Sequence, residues 1–319
     1  MPVKLTGQIV MSQTTVHILL ATYNGARFLH DQLASIARQS HTAWRLTVSD
    51  DGSQDETLEI LNRFAQQSKQ PVTVLKGPGQ GPTLNFFHLI SSVHASSQDD
   101  LFAYADQDDV WLEDKLSRAV TWHASRQQHS VRLYCGRTRY VDELLHPIGE
   151  SRRLKRSPDF GNALVQNIAS GNTMVFSAAV MQALQTIDPE HSVWHDWTTY
   201  LATTALEGHV FFDEVPALLY RQHSANVIGS NEGFMAQLQR FKPIFQGRYK
   251  KWSELNLAAM QDIEALLPTS TRVSVKKFEE MRTSDSCGHR IIKFLQSGIR
   301  RQSLASNATL LMALIFKLA

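Results

Sequence analysis

The segment Leu101-Phe102-Ala103-Tyr104-Ala105-Asp106-Gln107-Asp108-Asp109-Val110-Trp111 decides the reading of this chain. Its first five residues are apolar or small and read as a short buried strand. They stop at three carboxylates within four positions, and Val110-Trp111-Leu112 then leads into a helix-like run. Carboxylates packed this closely repel and raise one another's pKa. A hard divalent cation such as Mg²⁺ or Mn²⁺ relieves that conflict, and Mg²⁺ usually takes one or two carboxylates plus substrate phosphates. An Asp-x-Asp at the carboxyl end of a strand therefore suits a metal–diphosphate site. The plainer alternative is an acidic loop that caps a helix.

Upstream, strand and helix patterns alternate. Val16-His17-Ile18-Leu19-Leu20-Ala21 is a continuous apolar run, as in a strand covered on both faces of a parallel sheet. Thr22-Tyr23-Asn24-Gly25 ends it, and Phe28, Leu29, Leu33, Ile36 and Ala37 share one helical face. Trp44 to Val48 makes the next strand, which stops at Ser49-Asp50-Asp51-Gly52-Ser53. Ser53 and Glu56 have the spacing of a capping box, which predicts a helix starting there. A third strand follows from Val72 to Leu75, then the loop Gly77-Pro78-Gly79-Gln80-Gly81-Pro82 and a helix from Leu84 to Val93. The order β-α-β-α-β-α-β is that of a doubly wound parallel sheet, whose ligands sit outside the carboxyl ends of the strands. Tyr23 and Asn24, Asp50 and Asp51, and Asp106 and Asp108 all fall at such ends. No Gly-x-Gly-x-x-Gly follows the first strand and no Gly-x₄-Gly-Lys-Ser/Thr occurs, so phosphates would have to be held by a metal. A sugar nucleotide bound through a metal-bridged diphosphate meets all of these requirements.

Ala21-Thr22-Tyr23-Asn24-Gly25, Ser49-Asp50-Asp51-Gly52-Ser53-x-Asp55 and Asp106-Gln107-Asp108-Asp109-Val110-Trp111, in this order, resemble the family 2 inverting glycosyltransferases of GT-A fold. The resemblance covers roughly residues 15–229. It implies a Rossmann-like, mixed but mainly parallel sheet flanked by helices, a nucleotide-diphosphate sugar donor and a divalent cation, Mg²⁺ or Mn²⁺. By position it places Thr22, Tyr23, Asn24, Asp51, Asn85, Asp106 and Gln107 around the donor nucleotide, with Asp51 at the base. Asp106 and Asp108 become the metal pair, Asp108 the more direct ligand, while the role of Asp50 beside Asp51 stays open, a cap of its own turn being one.

The second half should supply the acceptor side. Gly171-Asn172-Thr173-Met174-Val175-Phe176 reads as a strand entered through a tight turn, and in similar enzymes it borders the sugar pocket, together with Trp111, His195 and Trp197. His195-Asp196-Trp197 opens a helix running through Tyr200, Leu201, Thr204 and Ala205. An Asp at a helix start is ordinarily a cap. The resemblance makes Asp196 the catalytic base, because single-displacement inversion needs one group to take the acceptor's hydroxyl proton. Tyr220-Arg221-Gln222-His223, with Asn226, recurs in bacterial rhamnosyltransferase-like relatives, which puts Arg221 and His223 near the diphosphate or metal and suggests dTDP-rhamnose as donor. The expected acceptor is a glycan or lipid-linked saccharide of a surface polysaccharide such as O-antigen, capsule or lipopolysaccharide. A nucleotidyltransferase of similar fold, or a non-catalytic sugar-nucleotide- or glycan-binding protein, are the competing readings. The first would want a Gly-rich basic loop where this chain has Tyr-Asn-Gly-Ala; the second is opposed by the intact Asp106, Asp108 and Asp196.

The 319 residues, 43% hydrophobic and 19% charged, suffice for a large α/β domain with an appendage. We expect an N-terminal extension over 1–14, a catalytic domain over 15–229 (donor half 15–115, acceptor half 116–229) and a helical tail over 230–319. The tail carries 14 Lys/Arg against 7 Asp/Glu, and the rest of the chain 18 against 23. From Phe234 onward its pattern is helical, interrupted by Pro243 and Pro268. Ile292, Leu295, Ile299 and Leu304 beside Arg300-Arg301, before the apolar run Leu310 to Phe316, read as an interfacial membrane contact. The alternative is a helix packed on the catalytic domain or a second subunit. No nucleic-acid motif accompanies the basic tail. Cys135 and Cys287, far apart and without metal-ligand spacing, fit a reducing compartment rather than a disulfide framework. With no signal-peptide core before Gln13 and no run of about 18 apolar residues, the expected location is cytoplasmic, at most peripheral on the inner face of the cell membrane.

Overall fold

The computed structural model describes residues 14–223 and 247–318. Residues 1–13 of the expected N-terminal extension, the expected boundary at 229/230, Asn226, Phe234 and Pro243 lie outside the described residues. The first half alternates as the sequence predicts: β1 (Val16–Thr22), α1 (Ala26–Ala37), β2 (Trp44–Asp50), α2 (Thr57–Gln67), β3 (Val72–Lys76), α3 (Pro82–Ser92) and β4 (Leu101–Ala105). The second half contributes β5 (Val110–Trp111), α4 (Lys115–Ala124), β6 (Arg132–Gly136), β7 (Arg139–Val141), β8 (Pro147–Glu150) and α5 (Phe160–Ala163). It continues with β9 (Val175–Ser177), α6 (Ala178–Leu184), α7 (His195–Ala205), β10 (His209–Asp213) and β11 (Leu218–Arg221).

Seven strands form one sheet in the order β10-β6-β9-β4-β1-β2-β3. β1 lies parallel between β2 and β4, with Leu20 facing Val48 on one side and Ala105 on the other. Only β9 is reversed: it runs antiparallel to both β4 and β6. The sheet is thus mixed and mainly parallel, as expected. The parallel register brings the carboxyl ends of β1, β2 and β4 to one edge, where Thr22, Asp50 and Asp106 follow one another across neighbouring strands. The continuous apolar run in β1 has its predicted cause. Val16, Ile18 and Leu20 face one core with α1, α2 and α4, and Leu19 faces the other with Phe86, Phe102, Tyr104 and Phe176.

Two local expectations are corrected. Helix α2 starts at Thr57 rather than Ser53, and no capping box forms, because the Ser53 hydroxyl donates to Asp50 Oδ2 (2.6 Å) and the Thr57 hydroxyl to Asp55 Oδ1 (2.6 Å). Val110-Trp111 is a strand instead of a helix entry. It pairs antiparallel with β11 in a second sheet of order β5-β11-β7-β8, which carries the chain after the acidic motif beneath the site.

The tail forms α8 (Arg248–Asp262), α9 (Thr269–Thr283), α10 (Cys287–Gln296) and α11 (Leu304–Ile315). Leu257, Met260, Phe278, Met281, Leu310 and Leu314 join the core that contains Tyr200 and Leu201 of α7. Buried polar groups stitch the same contact. Arg301 Nε donates to Val165 O (3.1 Å), Thr271 Oγ1 to Ala205 O (2.7 Å) and Asn256 Nδ2 to Leu164 O (3.1 Å). Among the described residues no helix is long and apolar enough to cross a membrane.

Candidate active site

The edge of the sheet is built from three turns that lock one another. Asp50, at the end of β2, accepts from the Thr22 hydroxyl (2.8 Å), the Ser53 hydroxyl, and the N–H groups of Gly52 (3.3 Å) and Ser53 (2.9 Å). It caps its own turn. Asn24, with φ of 47°, ties the first turn to the second: its N–H donates to Ser53 Oγ (2.8 Å) and its Oδ1 accepts from Gln54 N–H (2.8 Å). Asp51 reaches the glycine loop after β3, where Gly79 N–H (2.7 Å) and Gly81 N–H (2.8 Å) donate to its two oxygens. A carboxylate has about four lone-pair sites, so two acceptor positions are left over. Asn85 lies beneath, its amide donating to Ser49 O (2.9 Å). Gly77 has to be glycine here, since a Cβ would come within 2.7 Å of Asn85 Oδ1 and 2.8 Å of Asp50 O.

Tyr23 stands at the mouth, 57% exposed. Its backbone is gripped at both ends by Gln107, which accepts from Tyr23 N–H (2.8 Å) and donates to Tyr23 O (2.9 Å). The middle residue of Asp-x-Asp thus fixes the turn after β1, and Gly25 leaves the room it needs: a Cβ there would meet Gln107 Oε1 at 2.2 Å.

The acidic motif itself is held from several sides. His223 Nε2 lies 2.8 Å from Asp108 Oδ2, and the His223 ring stacks on Phe28 at 4.9 Å. Arg221, expected near the diphosphate or metal, lies against Asp108: its guanidinium donates to Asp108 O (3.1 Å), to Glu143 O and to Asp31 Oδ2 (2.7 Å), over the Phe28 ring. It acts as a strut beneath the metal motif. Asp109 is fully buried and accepts from Asn172 Nδ2 (2.5 Å). Beside it the Lys115 ammonium, also fully buried, sits 3.5 Å above the Trp111 ring. Burial pulls that ammonium down to about 7, against the upward pull of Asp109.

Asp196 lies in the first turn of α7. It accepts from its neighbour Trp197 N–H (2.6 Å) and from Gly171 N–H (3.2 Å). Burial still raises its carboxyl to about 6. The Asp106 carboxyl is pushed up to about 7 by burial, then by the charges of Asp108 and Asp196. The turn Gly171–Thr173 therefore touches both halves of the site: Asn172 holds Asp109, and Gly171 holds Asp196.

Not every expected pocket residue faces a pocket. Trp111 is buried, with its backbone N–H donating to Ser35 Oγ (3.0 Å), and it belongs to the core under α1 and α4. Trp197 is buried too; its indole N–H donates to Ala163 O (2.7 Å) and its ring meets Trp252 of the tail edge-on. A tryptophan beside a polar motif reads as lining, but both indoles are packed as core. His195 stacks on Phe86 (3.7 Å between centroids) and abuts Tyr104, and burial lowers its imidazole to about 3, leaving it neutral. Gly171 passes close over it, since a Cβ there would fall 2.5 Å from Nε2. Sequence reasoning missed Asp109, Lys115 and the glycine-loop donors. The run of carboxylates hinted at Asp109, whereas a lysine in a helical pattern reads as solvated, so nothing marked Lys115.

The residues fit a divalent cation. Among the described residues no three His, Cys, Asp or Glu side chains gather as a closed metal site. Asp106 and Asp108 offer two carboxylates, and their mutual repulsion is what a cation would relieve. A pair of carboxylates completed by phosphates and water is the coordination Mg²⁺ prefers.

Comparison with known proteins agrees with the fold. The family model described as Glycosyl transferase family 2 matches residues 17–185. The dTDP-rhamnosyl transferase RfbG of Shigella flexneri is 28% identical over 243 residues, covering 73% of this chain and 81% of that protein. The UDP-Glc:alpha-D-GlcNAc-diphosphoundecaprenol beta-1,3-glucosyltransferase WfgD of Escherichia coli is 25% identical over 111 residues, 35% of this chain and 42% of that protein. In fold, the chain resembles S. aureus TarS 1–349 in complex with UDP at a TM-score of 0.53 and 15% identity, over 82% of this chain and 69% of that one.

Proposed function

The chain belongs to glycosyl transferase family 2, and from that membership we propose that it transfers one sugar with inversion from a nucleoside-diphosphate donor to a saccharide hydroxyl. The observation that carries the proposal is the pairing of two unlike acidic centres across one turn: Asp106 and Asp108 at the end of β4, and Asp196 at the head of α7. The first is suited to a cation and diphosphate, the second to a proton.

In this reading Tyr23 and Asp51 receive the nucleobase, with Gln107 and the glycine loop setting their positions. Asp106 and Asp108 would hold Mg²⁺ or Mn²⁺, beside His223, and the ion would supply charge stabilisation to the departing diphosphate. Arg221 keeps the Asp108 backbone in place. Asp196 takes the proton from the attacking hydroxyl on the face opposite the leaving group, so a single displacement needs no covalent intermediate. The similarity to a dTDP-rhamnosyl transferase supports dTDP-rhamnose as donor. The similarity to a transferase named for a diphosphoundecaprenol-linked substrate supports a lipid-linked glycan of a bacterial surface polysaccharide as acceptor.

The test is calorimetric titration with dTDP, UDP and GDP, each with Mn²⁺ and with chelator. Tight binding of one nucleotide that vanishes with chelator is the expected result, and dTDP is the expected nucleotide. Equal binding in chelator would leave the acidic motif without its metal role.

A pH dependence follows from Asp196. A base works only when ionised, and burial has raised this carboxyl to about 6. The pseudo-first-order transfer rate at saturating Mn²⁺ and donor should therefore rise with pH through about 6 and level off above 7. A rate that is flat from pH 5 to 8 would remove Asp196 as the titrating base.

A further inference from the structure

The tail was expected to meet a membrane through Arg300 and Arg301 beside its apolar stripe, but Arg301 turns inward and Arg300 is only partly exposed. Arg301 is buried against Val165 O and the Tyr249 hydroxyl, and Arg300 pairs with Asp159. The apolar stripe nevertheless stays outside. Helix α11 has no charged residue from Leu304 to Phe316, and positions 304, 308, 312 and 316, four apart, share an outward face. Leu304 is 80% exposed, Met312 51% and Phe316 61%, and on the adjoining α10 Leu295 is 73% exposed. Monomeric surfaces seldom show a continuous apolar stripe of this kind without a partner.

Charge is supplied at the head of that stripe by a different part of the chain. Ser151-Arg152-Arg153-Leu154-Lys155-Arg156-Ser157 carries four cations and no acid, all four exposed. Gln302 fastens this loop to the start of α11. Its Oε1 accepts from the N–H groups of Lys155 (3.0 Å) and Arg156 (3.0 Å), and its Nε2 donates to Arg156 O (3.1 Å). Leu304 follows two residues later. Arg153 leans on Glu214 (3.3 Å), and at the far end of the stripe Lys317 pairs with Asp285, so Lys155 and Arg156, tied to Gln302, set positive charge at the Leu304 end.

We infer that this composite surface, loop 152–156 together with the outward face of α11, docks on an anionic phospholipid bilayer. Cations held rigidly at one end of an apolar helix face are what a headgroup layer above an acyl boundary accommodates. A second copy of the chain would bring four more cations to the same rim. The inference does not depend on the transfer reading, because the surface lies outside the acidic motif and Asp196.

The test is flotation of the full chain with vesicles of phosphatidylglycerol mixed with phosphatidylcholine, and with phosphatidylcholine alone. Binding only to the anionic vesicles, weakened by salt, is expected. Neutralising Lys155→Gln with Arg156→Gln should weaken the partition about 25-fold, taking about 1 kcal/mol per cation near an anionic surface. Leu304→Ser with Met312→Ser should weaken it about tenfold. All four positions are exposed, so unchanged melting curves and unchanged dTDP binding would show that the variants fold. Absence of binding to anionic vesicles, or binding insensitive to both pairs of changes, would overturn the inference. So would a dimer in solution that Leu304→Ser with Met312→Ser dissolves, which would assign the face to a second copy.

Discussion

Replacing Asp196 with Asn is expected to slow sugar transfer about 10²- to 10⁴-fold, the usual worth of a positioned general base. The substitution is nearly isosteric. The retained amide oxygen can still accept from Gly171 N–H or Trp197 N–H, so the turn and the head of α7 should hold. What disappears is the proton acceptor, and with it the rise of rate through pH 6. Donor binding should persist, since Asp196 touches neither the glycine loop nor the Tyr23 turn. It should even tighten slightly, because the Asp196 charge is one of the causes that disfavour ionised Asp106. Rate and nucleotide affinity measured on the same preparation decide the matter. Transfer within tenfold of wild type would mean that another group removes the proton.

Asp108→Ala should act on the other side of the reaction. The expected result is nucleotide binding that Mn²⁺ no longer enhances, together with loss of transfer by more than 10³-fold, because charge on the departing diphosphate goes unanswered. Structure should be kept: Arg221 grips Asp108 through its backbone carbonyl, which alanine retains, and Asp109 and Asn172 are untouched. His223 loses its carboxylate partner but keeps its stacking on Phe28. If the variant bound the nucleotide in Mn²⁺ as well as the wild type does, the metal pair would have to be sought elsewhere.

The parts of this site that were legible in the sequence share a physical reason. β1 and β4 are covered on both faces, so their apolar runs are continuous and their ends abrupt, and polar residues at those ends stand out. Thr22, Asp106 and Asp108 were visible for that cause, and Asp196 through the family resemblance, since its place at a helix start alone reads as a cap. The partners were not legible, because long-range hydrogen bonds leave no local pattern. Gln107 on Tyr23, Asn172 on Asp109 and Arg221 on Asp108 join residues 84, 63 and 113 positions apart. Trp111 and Trp197 misled because an aromatic next to a motif reads alike whether it lines a cavity or fills a core. Arg300-Arg301 misled because they sit in the linker between α10 and α11 rather than on a helix, so helical spacing does not say which way they turn.

The buried arginines of the tail also bear on how such enzymes can be recombined. Arg290 spends its guanidinium on the carbonyls of Ser284, Asp285, Leu314 and Ile315, and Arg301 spends its own on Val165 and Tyr249. A chimera that joined this catalytic half to another enzyme's tail would leave the carbonyls of Val165 and Leu164 facing an apolar neighbour, at roughly 1–3 kcal/mol for each unmet group. Exchange of specificity between relatives is therefore better attempted in the surface loops, with catalytic half and tail inherited as one piece.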